Sequence, residues 1–322
     1  MALVVLGAKG FLGRHLLAAA TGTGQPVRAI TRGDVPATAD ATVDWMRADV
    51  HSAASLAAVI AEGDIVVNLA FAQGEADNLE LVKALIEACR EQRAACLVHC
   101  STATVVGAGG ELLVTEETQC IPIGPYERIK AALEQQVIQA RRRGLRTIIV
   151  RPTAIVGPGG ANLRSLAHSL LSGSAAWSYV RACLFGDRPM HLVPVATVVA
   201  AILHLAAQSD RCGNETFIVA ADDDADNRFS AVERLLTASL ALPPRQLPIL
   251  PLPRMLLSSI LRLRGRSDPA IERLYSSDKL RATGFVPTVA IASAVTEFGD
   301  WYQRDMSGAQ GTASSRQPGA GC

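Results

Sequence analysis

Leu3-Val4-Val5-Leu6-Gly7-Ala8-Lys9-Gly10-Phe11-Leu12-Gly13 reads as an apolar strand, a glycine turn and the start of a helix. The strand shows no polar alternation, so both of its faces are expected to be covered. Gly7 permits a tight turn, Gly10 lets backbone approach a pyrophosphate, and Gly13 lets the helix lie close against the strand. A helix starting there offers unpaired N–H groups and a positive dipole end to phosphate oxygens. The spacing GxxGxxG is a variant of the dinucleotide-binding fingerprint, and its place directly after an apolar strand gives it weight. A structural turn without ligand is the plain alternative.

The same rhythm runs outward from this stretch. Apolar strands are expected at 27–31, 65–69, 97–101 and 147–151, with helical patterns at 13–20, 53–62, 78–93 and 126–143 between them. Alternation of buried strands with helices points to an α/β fold, a doubly wound parallel sheet whose strand C-termini share one ligand-binding edge. Residues 1–160 form this dinucleotide-binding core, and a late strand at 215–219 is placed to return to it. Residues 161–305 read as a smaller, mostly helical substrate lobe, with Asp222–Asp226 as a solvated acidic loop. From 306 to 322 no periodic apolar residue remains, which reads as a disordered tail.

Composition narrows the function. The 322 residues are 49% hydrophobic and 19% charged, enough apolar material for a sizeable core. A net charge of +1 and 4% aromatic residues leave no footprint for nucleic acid. The seven cysteines include no CxxC pair and read as free thiols in a reducing cytoplasm. No leader is expected at the N-terminus. The apolar run at 249–263 is interrupted by Pro251, Pro253, Arg254 and Arg262 and is shorter than the roughly 20 residues of a membrane helix. The basic apolar segment 249–266 reads as a helix over a substrate cleft, a membrane-surface helix or a docking surface. No clustered His, Cys or carboxylate spacing suggests a metal.

The second strand ends Ala29-Ile30-Thr31-Arg32. An NAD site usually carries Asp or Glu there for the ribose hydroxyl. Arg32 instead suits a 2′-phosphate, and Lys9 adds charge in the loop, which favours NADP(H) over NAD(H). The alternative is a solvated Arg32 with Asp34 on the ribose. Downstream, Tyr126 and Lys130 stand four apart at a helix start and so share a face. An ammonium beside a phenol is expected to lower the phenol pKa and make it a proton donor and acceptor near neutral pH. His99-Cys100-Ser101-Thr102-Ala103-Thr104-Val105-Val106-Gly107 brings hydroxyls to the C-terminal end of a strand, on the ligand edge.

These motifs together resemble the extended short-chain dehydrogenase/reductase family, which includes nucleotide-sugar epimerases, dehydratases and reductases. The resemblance covers roughly residues 3–302. Residues 7–13 are similar to the family's TGxxGFxG and 101–107 to SSxxVYG, with Thr102 at the hydroxyl position. Tyr126 and Lys130 match YxxxK, and residues 151–159 are similar to RPxNVYGPG. Asp49-Val50 resembles the pair that contacts adenine, and Asn68-Leu69-Ala70 the segment lining the cofactor. Residues 188–195 resemble RxxxHVxDV, and 278–287 the C-terminal SKLxxLGxxP. The chain departs from the pattern at Leu6, Val106, Ala154 and Pro194.

The resemblance implies a Rossmann-type domain and a hydride-transferring enzyme with Thr102, Tyr126 and Lys130 as catalytic residues. It implies cofactor contacts from Gly7, Lys9, Gly10, Phe11, Leu12, Gly13, Arg32, Asp49, Val50, Leu69, Ala70, Tyr126 and Lys130. It further implies a nucleotide-sugar substrate whose phosphates Arg188 grips. Net carbonyl reduction and epimerisation are both open, as is a homodimer. A catalytically silent NAD(P)H-binding module or a structural subunit is the competing expectation.

Overall fold

The computed structural model describes residues 1–36, 41–107, 109–245 and 273–314. The chain divides into two compact units, Met1–Thr153 with Val195–Ala220 and Arg273–Thr288, and Ala154–Pro194 with Ala221–Glu272 and Val289–Cys322. The chain thus passes between units several times. The late strand lies in the first unit with the early ones.

The first unit holds β1 (Leu3–Leu6), β2 (Val27–Thr31), β3 (Val43–Arg47), β4 (Ile65–Asn68), β5 (Cys96–Cys100), β6 (Leu113–Val114), β7 (Thr147–Pro152), β10 (Thr216–Val219) and β11 (Leu274–Tyr275). Seven of these form a parallel sheet in the order β10-β7-β5-β4-β1-β2-β3, and β6 pairs with β11 apart from it. The order reverses at β1, which pairs Leu6 with Ile30 of β2 on one side and with Asn68 of β4 on the other. This switch opens a crevice at the strand C-termini, where ligands bind in doubly wound sheets. β1, β4 and β7 are buried at every residue. They are covered by α1 (Phe11–Thr21), α2 (Ala53–Ala57), α3 (Glu75–Glu91), α4 (Pro125–Arg142) and α7 (Val195–Ala207), as the unbroken apolar strands required. β3 was not anticipated, because Asp44 and Arg47 give it the polar look of a loop; it is the sheet's edge, where polar residues are tolerated.

The second unit pairs β8 (Ala154–Val156) with β9 (Leu192–Pro194) and adds α5 (Arg164–Ser172), α6 (Ala175–Phe185), α9 (Phe229–Ser239) and a final helix, Ile291–Ser314. Leu166, Leu192, Phe229, Val232, Ile291 and Phe298 pack in its core. Two expectations are corrected here. The Asp222–Asp226 stretch is not simply solvated: Asp222 is buried and lies 2.7 Å from His191 Nδ1, while Asp224 accepts the Ile291 N–H. The expected tail overlaps helix as far as Ser314, since backbone hydrogen bonding continues past the last apolar contact; 315–322 lie outside the described residues. So does the whole of the basic apolar segment 249–266. Among the described residues no helix is long and apolar enough to cross a membrane.

Candidate active site

The glycine loop has the geometry its sequence demands. Gly7 sits at φ +80°, and a Cβ there would come within 2.7 Å of Ala70 N and Leu69 C. A Cβ on Gly13 would lie 2.3 Å from the Gly7 carbonyl oxygen. Both positions therefore exclude any side chain. Gly10 N–H donates to the Gly7 carbonyl at 2.9 Å, and Phe11, Leu12 and Gly13 form the first turn of α1. Phe11 packs edge-on against His15.

A cleft of about 470 Å³ opens above this loop, lined by Gly7, Lys9, Gly10, Arg32, Val50, Leu69, Ala70 and Phe71 among others. Lys9 Nζ donates to the Asp34 carbonyl. A second cavity of about 390 Å³ shares Arg32 and is lined also by Arg47, Ala48, Asp49 and Ser55. Asp49 accepts the His51 N–H at 3.0 Å. Loop, helix start and flanking cations fit a dinucleotide: Gly7 and Gly13 let the loop pack against its own backbone, and Gly10, in the cleft lining, leaves backbone open to a diphosphate.

Asn68 and His99 join the ends of β4 and β5 beside the cleft. Asn68 Oδ1 accepts the Ala70 N–H at 3.1 Å, leaving its amide to donate to His99 Nδ1 at 3.2 Å. Burial, helped by the nearby Lys130 charge, lowers the His99 pKa to about 3. The ring is therefore neutral and acts as a spacer that sets the Ala70–Ala72 segment.

The hydroxyl segment follows β5. Thr102 caps a tight turn at Ala103–Val106, its Oγ1 accepting the Thr104 N–H at 3.3 Å and lying 3.1 Å from Thr104 Oγ1. The start of α4 is set independently. Glu127 accepts N–H groups from Ile123 and Gly124 at 2.8 and 2.9 Å, and Pro125 occupies the first helical turn. Tyr126 thereby falls in that turn, with its hydroxyl near enough to Thr102 for the two to interact. One turn on, Lys130 is buried; its Nζ donates to the Cys100 carbonyl at 3.1 Å and lies 4.6 Å from the Phe71 ring centroid. Phe71 also meets the Tyr126 ring edge-on at 5.3 Å. A further turn along, Glu134 holds Arg151 of β7 through two hydrogen bonds of 2.9 and 2.6 Å, a buried fork that fixes α4 on the sheet.

The three candidate catalytic residues thus come together in the first unit. The electrostatics differ from expectation. The Tyr126 phenol is raised above its ordinary value, chiefly by burial, with the Thr102 hydroxyl opposing. Lys130 is lowered, again chiefly by burial. Burial acts against the charged form of both groups, and the ammonium is directed to a backbone carbonyl. Arg188 lies in the second unit, its guanidinium carbon 5.9 Å from the Phe185 ring centroid. Phe71, Arg47 and Glu134 were not singled out from sequence. Phe71 follows directly on Asn68-Leu69-Ala70, and Arg47 stands two before Asp49, so adjacency was the only signal.

The family model for the NAD dependent epimerase/dehydratase family matches residues 3–221, and the chain belongs to that family. It is 27% identical to a sterol demethylase protein B of Methylococcus capsulatus over 76% of this chain and 78% of that one. It is 31% identical to a 4-hydroxy-2-methyl-3-oxo-4-farnesyl-3,4-dihydroquinoline-1-oxide ketoreductase of Stigmatella aurantiaca over 48% of this chain, and spans half the length of that relative. Its fold is like that of dTDP-glucose 4,6-dehydratase from Bacillus anthracis, solved with NAD, with a TM-score of 0.73 and 15% identity over 95% of this chain and 98% of that one. Its seven-stranded parallel sheet and glycine loop are the Rossmann-type core of that family.

Proposed function

We propose that the protein reduces a carbonyl to a secondary alcohol with NADPH. The observation that carries this reading is the gathering of Thr102, Tyr126 and Lys130 beside the glycine-loop cleft, whose lining residue Phe71 meets the Tyr126 ring and the Lys130 ammonium. Held by the glycine loop and Arg32, NADPH would supply the hydride. Thr102 is placed to hold the substrate oxygen and Tyr126 to give it a proton as negative charge develops, while Lys130, fastened to the Cys100 carbonyl, forms the floor of the site. Arg32, with Arg47 across the smaller cavity, supports a preference for a 2′-phosphate and so for NADP over NAD. The intact hydroxyl, Tyr and Lys set supports catalysis over a silent binding module. A ketoreductase among the relatives supports net reduction, and the free cysteines suit a cytoplasmic setting.

The second reading is epimerisation of a nucleotide-sugar, supported by Arg188 and by the likeness to a dTDP-glucose enzyme. It retains its oxidised cofactor through each turnover, whereas a preference for NADP suits a reductase that takes up fresh NADPH. Dehydration lacks the acid it needs, because Ala103 and Thr104 follow Thr102. The deciding measurement is cofactor content and turnover. NADPH consumption on a carbonyl is expected. Tightly bound NAD(P)⁺ that survives gel filtration, with no NADPH consumed on any carbonyl, would overturn reduction in favour of epimerisation.

A further inference from the structure

The side chains around Tyr126 that take no part in proton transfer are apolar and open to solvent. Phe71 is 42% exposed, Ile121 45% and Ile123 53%. Separate attachments bring them to the reacting groups. Phe71 touches the Tyr126 ring. Ile121 N–H donates to the Val106 carbonyl at 3.0 Å, at the end of the turn that Thr102 caps. Ile123 is fastened to Glu127 in the same helical turn as Tyr126. Leu113, 54% exposed, extends the surface along β6, whose Val114 packs in one cluster with Val106.

One exposed cation reaches this wall, Arg128, whose guanidinium donates to the Ile123 carbonyl. A sugar ring sets its hydroxyls against isoleucine, where they lose water and gain no partner. Apolar side chains kept exposed beside a proton donor mark the seat of a ligand that buries them.

We infer that this wall seats the flank of an apolar substrate, a ketone carried on an alicyclic or long-chain hydrocarbon framework, with its oxygen between Thr102 and Tyr126. The inference rests on the carbonyl-reductase reading above and names its substrate class. The test uses the full chain with NADPH and two ketones, a decalone and dihydroxyacetone, with UDP-glucose and NADP⁺ as a third arm. Decalone is expected to be preferred in kcat/KM by about 100-fold or more, and Ile121→Ser and Ile123→Ser are each expected to cut that preference about tenfold through KM. Ile123→Leu is expected to restore it. Calorimetric titration of decalone into the protein with NADP⁺ gives the same order of affinities without turnover. Equal or better use of dihydroxyacetone or UDP-glucose overturns the inference, as do serine variants that fold and keep the parental preference. Should decalone bind, weaken in the serine variants and yet never be reduced, the wall stands and the reductase reading falls. Reduction of polar ketones alone leaves the reductase reading and removes the wall.

Discussion

Replacing Tyr126 with Phe removes one oxygen from the site and little else. The ring is 47% exposed and meets Phe71 through its edge, so its packing survives the change. The hydroxyl's interaction with Thr102 contributes about 0.5–1.5 kcal/mol at most, and water replaces it at a half-open position, so the melting temperature is expected to move by a few degrees at most. The chemical loss is larger. At pH 7 the phenol is protonated, since an ordinary tyrosine is protonated there and partial burial moves it further in that direction. Essentially every molecule therefore carries the proton to be transferred. Lys130 is no substitute donor, since its Nζ is engaged by the Cys100 carbonyl and lies 6.0 Å from the Tyr126 ring centroid. The Thr102 hydroxyl is far too weak an acid. A positioned general acid contributes about 10²–10⁴-fold, or roughly 3–5 kcal/mol of barrier. Steady-state NADPH oxidation at saturating ketone should show kcat reduced by that factor, while fluorescence titration gives an NADPH affinity within about twofold of the parent. A variant retaining more than about a tenth of the parental kcat would refute the assignment of Tyr126 as proton donor.

Arg32→Ala is expected to weaken NADPH binding about tenfold or more and leave NADH little changed, because a charge-assisted bond to a 2′-phosphate contributes about 1.5–3 kcal/mol; equal losses in titrations of both cofactors would contradict NADP selection. Gly13→Ala forces a Cβ to 2.3 Å from the Gly7 carbonyl, so a fall in stability of about 1–3 kcal/mol by thermal melt and loss of cofactor binding are expected. The pH profile follows from Tyr126 as an acid with a raised pKa. Carbonyl reduction should stay level through neutral pH and fall only above about pH 10, while alcohol oxidation should climb over the same alkaline range. A reductive limb that falls near pH 7 would show that another group donates the proton.

The parts of this site that were legible in the sequence are those whose requirements are local. Gly7 and Gly13 are dictated by backbone within ten residues of themselves or by one neighbouring loop, and YxxxK is a single turn of helix. The parallel sheet was legible because its strands are apolar on both faces. β3 was missed for the complementary reason: an edge strand need not look buried. Arg47 and Phe71 acquire meaning only from tertiary neighbours, Arg47 from a cavity shared with Arg32 and Phe71 from contacts with Tyr126 and Lys130. Asp222 reads as solvated in a run of acidic residues, yet His191 and Asn227 draw it into the second unit's interior.

The direction of the Tyr126 pKa was the least legible feature, and it bears most on function. Sequence spacing places an ammonium near a phenol and suggests an easily ionised tyrosine. Lys130 is buried and points its charge at a carbonyl, while Tyr126 is half-buried against Phe71, so partial desolvation and not the ammonium sets the direction of its shift. A phenol protonated at neutral pH has a proton to give to the oxygen of a reduced carbonyl, and the isoleucines proposed to seat the substrate carry no side-chain donor to steady its ionised form.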